Sequence, residues 1–246
     1  MKRLKSVLCM SAGAALLLAS ASSAEAQIQR VTDSGRNSIN FNLGYFSVKP
    51  EDSRVDGDVL IADLTSAESL FFDVKDFNNA TFGGEFLFGV SEYIDAGVGV
   101  GFYQRTVPSI YADFTDDNGN EIEQDLKLRV VPITATVRFL PAGRGGVEPY
   151  VGAGIGIFPW RYSEVGEFVD TNDFSIFPAR FIADGTATGA VILGGVRFPV
   201  ADVWTIGGEV KWQKAEGKID MAETELLGNK IDLGGWNVNF TFGLKF

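Results

Sequence analysis

The chain has 246 residues, with 21 Lys and Arg against 32 Asp and Glu, a net charge of −11, no histidine and one cysteine. That acidity argues against nucleic acid as a partner. The missing histidine removes the usual general base at neutral pH and the Ser-His-Asp constellation.

The chain opens "MKRLKSVLCMSAGAALLLASASSAEAQ". Lys2, Arg3 and Lys5 precede an apolar run around Ala14 to Ala19, and Ala24-Glu25-Ala26 supplies a small-x-small site. This pattern predicts a secretory signal peptide over 1–26, cleaved after Ala26, with a single domain over 27–246. Cys9 leaves with the signal, so the mature chain has no thiol nucleophile and no disulfide. Losing three bases and one acid takes the net charge to −13. No later segment has the apolar length of a transmembrane helix, a limit that β-barrels escape by crossing with short alternating strands.

Eight stretches then alternate apolar and polar residues with period two. They are carried by Ile39–Tyr45, Phe82–Val90, Ile94–Phe102, Val131–Phe139, Val151–Ile157, Ile192–Phe198, Trp204–Trp212 and Trp236–Phe246. Long connections run about Lys49–Asn79, Val107–Gln124, Arg161–Gly185 and Lys214–Leu233. Short ones lie near Ser91–Tyr93, Leu140–Val147 and Pro199–Asp202. The reading is all-β: an eight-stranded antiparallel up-and-down transmembrane β-barrel with short periplasmic turns and long extracellular loops.

Three local features carry further expectations. Leu126, Leu128 and Val130 share one parity, and Val131, Ile133 and Ala135 the other, with Pro132 between. A bulge or register break is therefore predicted near Val130–Pro132; the alternative is that Leu126 and Leu128 stand above the membrane. Thr65-Ser66-Ala67-Glu68 fits a helix capping box in the first long loop. Asn118-Gly119 marks a hairpin tip, and the acids of "FTDDNGNE" lack the spacing of a calcium loop. No metal and no cofactor is expected.

The faces can be assigned from residue size and charge. Gly97, Gly99, Gly101 and Gly152, Gly154, Gly156 alternate with the apolar residues, and an exposed glycine face would be odd. Eight strands leave an interior barely wide enough for side chains, so the small face belongs inside. Parity then puts Glu85, Asp95, Glu148 and Glu209 inside with Arg138, Arg197, Lys211 and Lys245. Four acids meeting four bases predict an internal salt-bridge network that plugs the barrel. Phe46, Leu87, Tyr103, Tyr150 and Phe158 also fall inward, and are expected to line an apolar cup near the outer mouth. Trp204, Trp212 and Trp236 fall outward as an aromatic girdle. Trp204 and Trp212 lie roughly 20 Å apart along the normal, and Trp236 and Phe246 roughly 25 Å, close to the height of an outer-membrane apolar band.

These features resemble bacterial outer-membrane β-barrel proteins. "VPITATVRFLPAGRGGVEPYVGAGIGIF" (Val131–Phe158) is similar to the middle of small barrels of the OmpW, OmpX and OmpA-barrel type. The strand carrying Trp236, Phe240, Phe242, Leu244 and Phe246 looks like the C-terminal signal read by the barrel-assembly machinery. The resemblance implies an outer-membrane location in a Gram-negative-type bacterium. It implies lipid, lipopolysaccharide and, during biogenesis, the assembly machinery as partners, and a monomer is expected. Enzymes of this architecture rely on a His with Ser or Asp, so no catalytic role is expected. Glu121 with Glu123, and Glu223 with Glu225, are the carboxylate pairs on which a hydrolase reading would have to rest. Two functions stay open: a structural or surface-interaction barrel acting through its long loops, and a narrow transporter or binder of small hydrophobic molecules as suggested for OmpW-like barrels.

Overall fold

The computed structural model describes residues 37–67, 69–170 and 173–246. The expected signal segment 1–26 and Glu68 lie outside the described residues. In chain order the elements are β1 (Ser38–Val48), α1 (Val59–Thr65), β2 (Leu70–Phe71), β3 (Asn79–Gly89), β4 (Ile94–Thr115), β5 (Glu121–Val130) and β6 (Ile133–Phe139). There follow β7 (Glu148–Val169), β8 (Ile176–Pro199), β9 (Trp204–Lys218), α2 (Met221–Thr224), β10 (Lys230–Asp232) and β11 (Gly235–Lys245).

β5 and β6 lie end to end between β4 and β7, and together make one wall strand. Eight antiparallel wall strands then close a ring: β1, β3, β4, β5/β6, β7, β8, β9, β11 and back to β1. The seam pairs Ser38 with Lys245 through Val48 with Gly235. Asn37 and Phe246 extend it by exchanging backbone hydrogen bonds of 3.2 and 2.9 Å. Closure leaves no unpaired edge in the lower wall, which is what a sheet needs in hydrocarbon.

Two of the expected long loops are strands instead. β4 runs 22 residues and turns over 116–120 into β5, with Gly119 at φ +82° supplying the left-handed turn residue. β7 and β8, of 22 and 24 residues, stay paired as far as Val169 with Ile176. The barrel is therefore much taller than its membrane band. The first connection does hold a helix, but it is α1, capped by Asp58, whose side chain accepts from the Leu60 amide. The predicted capping box falls at the C-terminal end of α1, where the Ser66 amide closes on Ala62 O.

The predicted register break at Pro132 is corrected. Val130 pairs with Tyr103 and Trp160, and Ile133 pairs with Val100 and Ile157, so neither neighbour shifts register across the gap. The ladder merely opens where proline has no amide. The Pro132 carbonyl still accepts from Gly101 N at 2.8 Å, and Val131 N still reaches Pro159 O at 2.9 Å. The parity change has another cause: the surroundings of the strand invert. In β5 the outward residues are Glu121, Glu123, Asp125, Lys127 and Arg129, while Ile122, Leu126, Leu128 and Val130 are buried. In β6 the outward residues are Ile133, Ala135, Val137 and Phe139, while Thr134, Thr136 and Arg138 are buried. One continuous strand has apolar residues inside above Pro132 and outside below it.

The same inversion recurs around the ring. β4 carries Val98 and Val100 outward below, and Tyr103 and Val107 inward above. β7 carries Val151, Ile155 and Ile157 outward below, and Phe158, Trp160 and Tyr162 inward above. The molecule is an inside-out barrel continued upward by a barrel patterned for water. Soluble monomers rarely expose contiguous apolar patches beyond a few hundred Å², so the lower belt is a lipid-facing surface.

Candidate functional site

The lower interior is filled by charge. Arg138 on β6 places Nη2 2.6 Å from Glu85 Oε2 on β3 and 2.9 Å from Glu209 Oε2 on β9. Lys211 Nζ stands 3.4 Å from Glu209 Oε1, and the Tyr150 hydroxyl donates to Glu209 Oε2 at 3.1 Å. A second group lies beside the first. Arg197 on β8 holds Asp95 Oδ2 of β4 at 2.6 Å and Glu148 Oε2 of β7 at 3.3 Å. Lys245 on β11 reaches Glu148 Oε1 at 2.6 Å. The Tyr150 ring lies between the groups, 4.8 Å from the Arg138 guanidinium carbon and 5.3 Å from that of Arg197.

All eight charged residues singled out by parity are thus drawn into ion pairs with one another. They come from every wall strand except β1. Arg144 is a ninth member that parity does not reach. It sits in the turn between β6 and β7, and its guanidinium pairs with Asp95 Oδ1. The balance within the network is therefore five bases to four acids. A lone arginine in the glycine-rich turn "AGRGG" is the only sequence trace of it. Small residues make room for the network: a methyl group at Gly97 would come within 3.0 Å of Leu87, Glu85 and Thr136.

The upper interior is packed. Phe46, Tyr103 and Phe158 are buried there as expected, but within a solid core that includes Val107, Leu126, Leu128, Trp160 and Tyr162. Leu87 and Tyr150 do not belong to that level. Leu87 pairs with Gly97 and Tyr150 with Gly195, at the periplasmic end, and Tyr150 packs with Leu140 and Leu193. The expected open cup is filled from above: Val59 and Leu60 of α1, with Val74 and Phe77 of the same connection, pack into the core. Charge staples this cap in place. Arg54 donates to both carboxylate oxygens of Asp58 at 2.8 and 3.0 Å and to Asp232 O at 3.0 Å, while Lys49 holds Asp232 Oδ2 at 2.7 Å. The opposite charges of Arg54 and Asp58, four apart, are the legible trace of this staple. Between cap and network remains a cavity of about 60 Å³, lined by Asn42, Thr81, Gln213, Asn237 and Asn239 among others. That is room for a few water molecules.

The outward aromatics fall at two levels. Trp212 and Trp236 are register partners near the parity inversion. Trp204 stacks on Phe242 at 4.9 Å toward the periplasmic end. Of the terminal strand, Trp236, Phe240, Phe242 and Phe246 are exposed on the outer wall and Leu244 is half-buried on the same face. Of the two carboxylate pairs, Glu121 and Glu123 share the exposed outer face of β5, whereas Glu223 and Glu225 fall in and just after α2 rather than on a strand. Among the described residues no His, Cys, Asp and Glu cluster is arranged to hold a metal.

The ring, its short turns on one side, its even strand number and its apolar belt are the architecture of an outer-membrane β-barrel. No protein-family model matches the chain, and no curated protein matches it. Solved structures are similar at low identity. The outer membrane protein OprG of Pseudomonas aeruginosa is 13% identical, with 89% of this chain and 99% of that one covered at a TM-score of 0.48. Neisserial surface protein A is 10% identical, with 87% and 99% covered at 0.47. The outer membrane protease OmpT of Escherichia coli is 11% identical, with 85% and 96% covered at 0.42. At these scores the architecture rests on the chain's own strand pairing and surface.

Proposed function

We propose that this chain is a non-enzymatic protein of the outer membrane of a Gram-negative-type bacterium. In this reading it is exported through the secretory pathway, closed to through-flow, and acts by presenting its upper barrel to lipopolysaccharide or to surface partners. One observation carries this reading: the interior is blocked twice, by ion pairs below and by the stapled cap above, with about 60 Å³ between. Purified protein in a planar bilayer is expected to give no stable conductance. A large steady conductance would overturn the closed reading.

The assembly role proposed for the terminal strand has its own test. Phe246 closes the β1–β11 seam through its backbone, and its ring lies 5.8 Å from that of Phe86 on the lipid face. Deleting Phe246 is expected to lower the yield of heat-modifiable, folded barrel in outer-membrane fractions severalfold. Undiminished yield would remove the assembly-signal assignment.

The narrow-transporter reading keeps one observation in its favour. The small cavity borders a wall of Gly83, Gly84 and Gly101 beside the open ladder at Pro132. It requires the cap to swing out, so a disulfide joining the first connection to β10 should abolish uptake of a small hydrophobic solute if transport occurs.

A further inference from the structure

High in the water-patterned barrel, two acids meet without a base. Asp63 of α1 and Glu164 of β7 are both buried and line one cavity together, and the Tyr162 hydroxyl donates to Asp63 Oδ2 at 3.2 Å. Neither acid forms an ion pair among the described residues; the other charged group acting on Asp63 is Asp58, itself neutralised by Arg54. Burial pushes the Glu164 carboxyl up to about 7, and burial together with the Glu164 charge holds Asp63 well above the usual carboxylate range. The pair thus retains a proton for want of any other cation.

A cavity of about 190 Å³ opens beside them, lined by Asp63, Glu164, Gln124 and Glu225 with the rings of Phe168 and Phe181. Gln124 is 3% exposed, and its amide nitrogen is used on Glu167 O while its Oε1 has no hydrogen-bond donor. Glu164 Oε1 is likewise buried without a donor. Both unmet groups are acceptors. Leaving such groups unpaired costs the full desolvation penalty of each, and more for a charged group. What completes the site must bring N–H donors, positive charge and an apolar body suited to aromatic walls. A hard divalent ion needs six or more oxygens around it, and ring faces offer none.

We propose that this outer-mouth cavity binds a small primary organic ammonium ion. Its N–H groups donate to Glu164 and Gln124, its carbon skeleton lies against Phe168 and Phe181, and its charge replaces the proton shared by Asp63 and Glu164.

The test uses the folded full-length chain in detergent, titrated calorimetrically with 2-phenylethylammonium chloride, 2-phenylethanol and calcium chloride. Saturable binding of the ammonium is expected, with at least tenfold weaker binding of the isosteric alcohol and none of calcium. Glu164→Gln should weaken ammonium binding at least tenfold. That variant keeps the shape and removes a buried charge, so its thermal midpoint should not fall. The groups facing the pair are Tyr162 on β7, Asp58 with Arg54 before α1, and Glu225 after α2. Burial holds the Tyr162 hydroxyl well up, so it remains a donor. Wild-type affinity should therefore rise between pH 6 and pH 8 as the shared proton becomes easier to displace. Equal binding of the alcohol, preference for calcium, or ammonium binding undiminished in both Glu164→Gln and Phe181→Ala would overturn the assignment.

Discussion

Replacing Arg138 by leucine is expected to destabilise the barrel by about 3–5 kcal/mol, the usual cost of removing one partner from a buried charge group. Arg138 is 1% exposed and stands between Glu85 and Glu209, which are themselves buried. Without it, Glu85 has no other base within ion-pairing distance among the described residues, and Glu209 keeps only Lys211 and the Tyr150 hydroxyl. The mechanism makes a second result necessary. In the double variant Glu85→Leu with Arg138→Leu, the charge left stranded on β3 is gone, so much of the loss should return, because a well-packed apolar pair often replaces a buried ion pair at little cost. Urea titration of the folded protein in micelles, followed by tryptophan fluorescence and by heat-modifiable gel migration, reads both. An unshifted midpoint for Arg138→Leu would mean that the network fills space without holding the wall.

Placing arginine at Val98 is expected to cost about 2–4 kcal/mol of folding free energy in lipid vesicles, the range for a cation facing mid-bilayer hydrocarbon on such a barrel. Val98 is 53% exposed, on the outer wall between the levels of Ile94 and Phe102, opposite Phe86 and Ala135. The reciprocal change, Arg129→Val on the outer face of the neighbouring wall strand above Pro132, should stay within about 0.5 kcal/mol, as exposed substitutions generally do. In a water-soluble barrel the first change would be neutral and the protein would stay in solution without detergent. A vanishing difference between Val98→Arg and Arg129→Val would place the membrane boundary somewhere other than the parity inversion.

Much of this was legible because a strand leaves a side chain only two choices of face. Once Gly97, Gly99 and Gly101 are assigned inward, Asp95 must be inward as well. Repeating that step on other strands brings Glu85, Arg138, Glu148, Arg197, Glu209, Lys211 and Lys245 into one interior before any contact is known. The same rule misled at Pro132. A change of apolar parity has two causes, an inserted residue or a change in what lies outside the wall, and a single strand does not distinguish them. The inversion recurring at one level on β4, β5/β6 and β7 does. The height of β4, β7 and β8 is not legible because the outward apolar alternation stops above the inversion, where Thr106 and Pro108 of β4, Glu167 of β7 and Asp184 of β8 are exposed.

Local period and closure alone give the number of wall strands, the faces of the side chains in the lower wall and eight of the nine charges in the network. That α1 fills the mouth, that Arg144 joins the network from a turn, and that Asp63 meets Glu164 far along the chain emerge from the assembled fold. Those outcomes depend on where a connection folds back over the barrel. That is set by the packing of Val59 and Leu60 into a core assembled from many strands, and by the staple from Arg54 and Asp58 to Asp232. Apart from the Arg54–Asp58 pair, no residue's near neighbours in sequence encode it.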